Sequence, residues 1–359
     1  MLAVTVLLVT LFFGLKPKGF RFFNQVKRLD GETGILFYNI GSVHGEKRLE
    51  EIGISDTMCI IMKLSSNLPR RGLMRIASVV GRGGHELVTI DQWKNGIEVS
   101  LWNKAHRRRM VVKKSDVFQK DSASIIAVNV VGTTVEILGD SMHAAKKFVE
   151  DDTFLYAFPG SGQLLLGLSS TGRNPWRGSM YGLALYKRAV TAAEMNETNR
   201  RLAEGRPFGS TVPPMATALF DFSEQSGRFV YDHSGNGWNL VISAYPKIFR
   251  YDMPEVIPNF RNLHKRRMRR SMAFDTIINF IGFLPFGCCF FLFFSIFAQT
   301  GRRAVFITMI CAVVVSAGIE FFQIFIPTRS PQLIDIVLNV SAAWTGAVTV
   351  KKLRKKNRD

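Results

Sequence analysis

The sequence predicts a two-part chain: an all-β sandwich, and an α-helical transmembrane bundle of three long spans with a short fourth at the N-terminus. Three observations lead there. Met272 to Gln299, Ala304 to Pro327 and Leu333 to Val350 are nearly uncharged apolar runs. Each approaches or exceeds the roughly 20 residues that a helix needs to cross about 30 Å of hydrocarbon. Between Lys16 and Arg270, by contrast, charge is frequent, and apolar residues come in short alternating segments bounded by Gly, Asn, Asp and Pro, the pattern of half-buried strands. Leu2 to Leu15 is apolar but too short for an ordinary span.

Residues 1–15 read as an uncleaved membrane anchor. No Lys or Arg precedes the apolar stretch, and Gly14-Leu15-Lys16-Pro17 offers no small-residue cleavage site, so the signature of a secretory signal peptide is missing. Snorkelling of Lys16 and Lys18 would extend its reach. Residues 30–250 then form the sandwich. Its expected strands include Met58 to Leu64, Ile97 to Trp102, Ser124 to Val131, Thr134 to Leu138, Gln163 to Leu168 and Met180 to Tyr186. One helix interrupts them at Thr191 to Leu202, where Thr191 and Glu194 have the spacing of a capping box.

A basic linker follows at 251–271, then the three-helix membrane part at 272–350 and a basic tail at 351–359. The chain carries 47 Lys and Arg against 28 Asp and Glu, a net charge of +19. Its densest clusters, Lys265 to Arg270 and Lys351 to Arg358, lie flush against apolar spans. That placement fits anionic lipid head groups and argues against a nucleic-acid partner. Basic residues accumulate in cytoplasmic loops, so the tail and Arg302-Arg303 are placed inside, and the β domain outside the cytoplasm, in the plasma membrane.

The four cysteines, Cys59, Cys288, Cys289 and Cys311, have neither metal-ligand nor disulfide-framework spacing, and the six histidines form no i, i+4 pair. No metal, cofactor, phosphate loop or nucleophile elbow is expected.

Polar residues within the spans are few and regularly placed. Asp275 and Asn279 are four apart, Asp335 and Asn339 repeat that spacing, and Glu320 and Gln323 are three apart. Each two share a helix face, and Arg329 lies in the loop beside them. An ionisable group in hydrocarbon costs about 2.5 to 3.5 kcal/mol even on gentle scales, so the cluster calls for a reason. One is interhelical hydrogen bonding. The other is a ligand pocket in which Arg329 meets a phosphate or carboxylate. Pro285, with Gly282 and Gly287, marks an expected kink and close helix approach.

Asp275-Thr-Ile-Ile-Asn279-Phe-Ile-Gly282-Phe-Leu-Pro285-Phe-Gly287 resembles the first signature of the VanZ-like family. Glu320-Phe-Phe-Gln323-Ile-Phe-Ile-Pro327-Thr-Arg329-Ser and Asp335-Ile-Val-Leu-Asn339, ending in the small residues before Gly346, resemble the second. Ala342 departs from the pattern where glycine commonly follows. The resemblance spans 272–350 and implies four helices, the first separated from the rest, and a link to glycopeptide tolerance.

Gly178 to Glu194 is similar to the last strand and following turn of a laminin-G or concanavalin-like jelly roll. Phe220 to Gly237 is similar to its opening strand, in reversed chain order. This likeness implies glycan binding on an aromatic face. Trp93 and Trp176 are the candidate glycan-facing rings, with Trp102 and Trp238 as further tryptophans, and Asp232, Ser234 and Asn236 form an oxygen-rich turn.

Three functions compete on this reading. The first is a non-enzymatic envelope protein whose β domain engages a glycan or protein while the bundle handles a lipid-linked precursor or head group. The second is an enzyme on such a precursor, with Asp275, Glu320 or Asp335 as general acid or base. The third is a scaffold.

Overall fold

The computed structural model describes residues 1–15, 23–66, 72–103, 108–119, 122–139, 142–147, 161–250, 266–326 and 332–356. It divides into two compact units, Arg21–Arg250 and the combination of Met1–Phe20 with Tyr251–Asp359.

The first unit is a sandwich of two eight-stranded sheets. One sheet is built on β4 (Thr57–Ser66), β9 (Ala123–Val131), β10 (Thr134–Gly139) and β13 (Gly178–Tyr186). Around these lie β1 (Val26–Arg28), β2 (Ile35–Phe37), β11 (Met142–Lys147) and β14 (Ala218–Phe220). The other runs in the order β15 (Phe229–Val230), β16 (Leu240–Val241), β3 (Val43–Gly45), β12 (Gln163–Leu166), β5 (Leu73–Val80), β6 (Glu86–Trp93), β7 (Gly96–Asn103) and β8 (Arg108–Lys114). Among the described residues, the pairings between these strands are all antiparallel. The expected strands are all present, and β1 starts before the expected boundary at residue 30.

β4 shows why some strands read as continuous apolar runs. Met58, Ile60, Met62 and Leu64 point into the core between the sheets. Cys59 and Ile61 point outward into a second cluster with Tyr186, Met195 and Phe208, so both faces are covered. The cover is α2 (Ala192–Ala203), whose N-cap Thr191 accepts from the Glu194 N–H while Glu194 accepts from the Thr191 N–H, the expected capping box. In β13 a register shift between Met180 and Gly182 changes the phase, so Met180 and Leu183 share the inner core despite odd spacing. The two jelly-roll-like segments pair directly, Leu183 opposite Phe220. Reversed order in the chain is thereby compatible with adjacency in the sheet.

The second unit contains α1 (Leu2–Leu15), α4 (Arg266–Phe297), α5 (Gly301–Gln323) and α6 (Leu333–Lys356); α3 (Phe208–Thr211) is a single turn in the sandwich. Asn279–Phe297, Gly301–Gln323 and Leu333–Lys356 are long and apolar enough to cross a membrane. α1 has 14 residues, and at about 1.5 Å per residue it falls short of the hydrocarbon thickness. It packs Val6, Leu7, Leu11 and Leu15 against the cluster of Phe283, Phe286, Ala312 and Ile319.

Small residues set the helix spacing. Gly287 lies against the Ala343 backbone, and Gly346 against the carbonyl of Leu284 and the amide of Cys288, with no room for a Cβ at either. Two helices meeting through such positions gain van der Waals contact where apolar burial gives no driving force. Gly282 is different: nothing lies within 4 Å of where its Cβ would be. The expectation of close approach at Gly282 is therefore corrected. Gly282 and Gly287 are five residues apart, which turns Gly282 away from the α6 contact. α4 runs unbroken through Pro285, which is exposed.

Candidate functional site

The polar cluster of the bundle is assembled from the side of α5 that carries Ala304, Thr308, Ala312, Ser316, Ile319, Glu320 and Gln323, all buried. Ala304, Thr308, Ala312, Ser316 and Glu320 recur every fourth residue, and that phase puts them on one stripe. Small side chains at the first four admit the neighbouring helices, and the polar ones then meet partners on them.

At the C-terminal end of this stripe, the Gln323 Nε2 amide donates to the Gly14 carbonyl at 2.8 Å. Gly14 lies in the last turn of α1, where carbonyls have no intrahelical donor, and in an apolar setting such a group must be satisfied from outside the helix. Gln323 thus holds α1 to α5. One turn earlier, Glu320 is 5 % exposed and its Oε2 accepts from the Gln332 N–H at 2.7 Å. Gln332 immediately precedes α6, so this carboxylate lies at a helix N-terminus, where negative charge is favoured. Asp335 lies in the first turn of the same helix and is half-buried.

Ser316 completes the set. Asn339 Nδ2 donates to its Oγ at 2.9 Å, joining α6 to α5. Asn339 is 4 % exposed, and its Oδ1 has no hydrogen-bond partner among the described residues. An unpaired buried acceptor costs about 1–3 kcal/mol, so this oxygen stands out beside Thr308, Ser316, Glu320 and Gln323, which are hydrogen-bonded.

Of the expected residues, Glu320, Gln323 and Asn339 are therefore engaged, with hydrogen bonds leading to Gln332, Gly14 and Ser316. Asn279 is half-buried on α4. The Asp275 side chain and Arg329 lie outside the described residues. Ser316 belongs to the cluster and is absent from the sequence reading, although its every-fourth-residue phase with Glu320 marks it.

In the sandwich, the two candidate glycan-facing rings part company. Trp176 is fully buried, donates from Nε1 to Gln92 Oε1 at 2.9 Å and packs beside Phe37 at 5.4 Å between centroids. Its assignment as a glycan-facing ring is corrected: it is a core residue, placed inward by its hydrogen bond and its apolar body together. Trp238 is likewise buried, with its Nε1 donating to the Lys47 carbonyl. Trp93 is 37 % exposed, and the ammonium groups of Lys94 and Lys113 lie 4.8 and 4.9 Å from its ring, within cation–π range. The Trp102 side chain lies outside the described residues.

The Asp232 turn is closed by its own protein donors. Oδ1 accepts from the Leu219 and Ser234 N–H groups, and Oδ2 from Ser234 Oγ and the Trp238 N–H. With its carboxylate so occupied, the turn is a structural corner. Among the described residues no group of three or more His, Cys, Asp or Glu is placed to hold a metal.

The second sheet contains a buried ionic group. Arg75 Nε bonds Asp91 Oδ1 at 2.6 Å, its Nη1 meets Glu86, and Thr89 Oγ1 donates to Asp91 Oδ2. Burial opposes the Arg75 charge, but Glu86 and Asp91 outweigh it and raise its pKa. Burial also raises the Asp91 pKa against the pull of Arg75. The group joins β5 to β6.

Residues 180–354 match the VanZ/LLP1 family model. The match begins inside β13, so it takes in the last part of the sandwich as well as the three long helices, beyond the expected 272–350. No curated protein matches the chain. Among solved structures, similarity is found to a Ruminococcus gnavus IT-sialidase CBM40 bound to α2,3-sialyllactose, at 13 % identity over 46 % of this chain and 94 % of that one, with a TM-score of 0.36. A botulinum neurotoxin type G receptor-binding domain is similar at 10 % identity over 51 % of this chain and 46 % of that one, with a TM-score of 0.39.

Proposed function

We propose that this chain is a non-enzymatic, multi-pass envelope protein whose bundle receives a lipid-linked or head-group ligand at the Ser316/Asn339 level. Its β domain, outside the cytoplasm, engages a saccharide or protein partner. The observation that carries the reading is the Asn339 Oδ1 atom: a buried acceptor without a donor, in helices long enough to span a membrane. A ligand hydroxyl or amine would satisfy it.

Hydrogen bonding also favours binding over catalysis here. Glu320 is engaged by the Gln332 N–H at the start of α6, so its carboxylate is tied to a structural partner. The β-domain half of the proposal rests on its resemblance to a glycan-binding superfamily, and the glycopeptide link on the VanZ-like signatures.

The test uses the full chain in lipid nanodiscs with a photoactivatable polyprenyl-phosphate-linked sugar, and phosphatidylglycerol as competitor. The reading expects cross-links to peptides containing Ser316 or Asn339 and their loss in Asn339→Leu. Cross-links confined to the outer surface of the helices, or unchanged in the variant, would refute it.

A further inference from the structure

Where α4 turns into α5 at residues 298–300, the last turns of α6 pack against the hairpin. Ala347 and Val350 of α6 share an apolar cluster there with Phe291, Ala298 and Ala304. That contact unites two basic segments far apart in sequence. Arg302 and Arg303 open α5, and Lys351, Lys352, Arg354, Lys355 and Lys356 close α6. The Lys351 side chain runs past Gly301, its Cε 3.4 Å from where a Cβ on that glycine would be. Arg354 Nη1 donates to Ser295 Oγ and Arg303 Nη1 to Gln299 Oε1, each at 2.6 Å. Ser295 and Gln299 are four apart in the chain, so the two guanidinium groups are anchored about one helical turn from each other.

This charge lacks a local counterweight. Both guanidinium groups bond neutral oxygens through one of their five N–H donors. The carboxylates along α5 and α6 are Glu320 and Asp335, each about 24 to 26 Å of helix from the nearest of these cations, and salt screens exposed charges within about 8 Å. The dipole of α6 favours cations at its C-terminus, but Arg302 and Arg303 stand in the first turn of α5, where the dipole disfavours them and no acidic residue offsets them. The surroundings are apolar as well as basic: Ile296, Phe297, Phe306 and Leu353 are all exposed. A soluble polyanion would leave those side chains in water. A lipid covers them with its chains while its phosphate meets the cations.

We propose that this end of the bundle is a head-group site for an anionic phospholipid. Its phosphodiester is bound by Arg303 and Arg354, with Arg302, Lys351 and Lys355 supplying further positive charge and the acyl chains lying along Phe297 and Leu353. Arginine suits the task because its planar fork meets two phosphate oxygens at once. The site does not rest on the ligand proposed at Ser316, which lies about 22 Å along α5 from Gly301.

The experiment is native mass spectrometry of the full chain in detergent micelles that contain equal amounts of phosphatidylglycerol and phosphatidylcholine. Each Lys or Arg at an anionic membrane surface is worth about fivefold in affinity. Wild type should therefore retain phosphatidylglycerol at least fivefold over phosphatidylcholine, and the preference should fall below twofold in Arg303→Gln/Arg354→Gln. That pair also cuts the bonds to Gln299 and Ser295, so Arg302→Gln/Lys355→Gln, which cuts no described hydrogen bond, should lower the preference by half or more. Arg82→Gln/Lys187→Gln removes the same charge from exposed positions of the sandwich and should leave it unchanged. Equal loss in that control would show attraction to net charge alone and overturn the site. Equal retention of the two lipids by wild type, or displacement of phosphatidylglycerol by glycerol 3-phosphate or duplex DNA, would overturn it too. None of these outcomes bears on Asn339, so the two proposals fail separately.

Discussion

Replacing Asn339 by Leu separates a ligand site from a structural fastening. The substitution removes the Asn339–Ser316 hydrogen bond, and interhelical bonds of this kind average about 0.6 kcal/mol and reach about 1.7. It also removes an acceptor that is buried without a partner, relieving about 1–3 kcal/mol. Leu shares the branched heavy-atom outline of Asn, and the freed Ser316 hydroxyl can turn to the carbonyl one helical turn back, as Thr308 does to Ala304 at 2.8 Å. The two effects leave the ligand-free protein equally stable or more stable by up to about 2 kcal/mol. Thermal unfolding of the full chain in detergent, followed by helical circular dichroism, measures this. A fall in stability of more than about 2 kcal/mol would show that Oδ1 is satisfied in the folded bundle and that Asn339 is fastening alone.

Other positions give sharper contrasts. Gly287→Val forces a branched side chain into the Ala343 backbone and should cost about 1–3 kcal/mol or more in detergent melts, whereas Gly282→Ala, with open space around it, should be neutral or stabilising by up to about 1 kcal/mol; equal effects would refute the α4–α6 contact. Arg75→Met strands Asp91, whose side chain is fully buried, and should lower the stability of the sandwich by about 3–5 kcal/mol, with recovery in Arg75→Met combined with Asp91→Leu and Glu86→Gln. Glu194 is held at a pKa of about 2 by hydrogen bonds from Arg188 and Thr191. Because that pKa is depressed, its contribution is complete above the ordinary carboxylate range and fades as pH falls toward 2. Melts between pH 6 and pH 2 should therefore show a decline that is smaller in Glu194→Gln, and the difference should be modest because the ion pair is partly solvated.

The legible parts of this molecule are those whose cause is local or summed over many residues. Hydropathy over about 20 positions marks α4, α5 and α6, and the Thr191/Glu194 capping box is settled within one turn of chain. Asp232 is similar: two of its four donors, the Ser234 N–H and Oγ, lie two residues away. Partners distant in sequence were not legible. Gln323 bonds Gly14, 309 residues earlier, and nothing near Gln323 announces it. Trp93 and Trp176 look alike as tryptophans in a β-rich chain, and only the packing of Phe37 and Gln92 puts one inside. Gly282 and Gly287 are chemically identical, and their difference is angular phase around α4. Ser316 was within reach, because the stripe from Ala304 to Glu320 has a strict period of four, but hydroxyls within an apolar run draw less notice than carboxylates.

In the proposed function the bundle holds a ligand whose donor meets Asn339 Oδ1. A structure of the full chain in a lipid nanodisc, determined with a bound antibody fragment and a polyprenyl-phosphate-linked sugar present, tests it most directly. Ligand density is expected with a polar atom within about 3.2 Å of Asn339 Oδ1, between α5 and α6 at the Ser316 level. A closed bundle, with that oxygen bonded by a side chain of the protein and the lipid-linked sugar elsewhere, would contradict it.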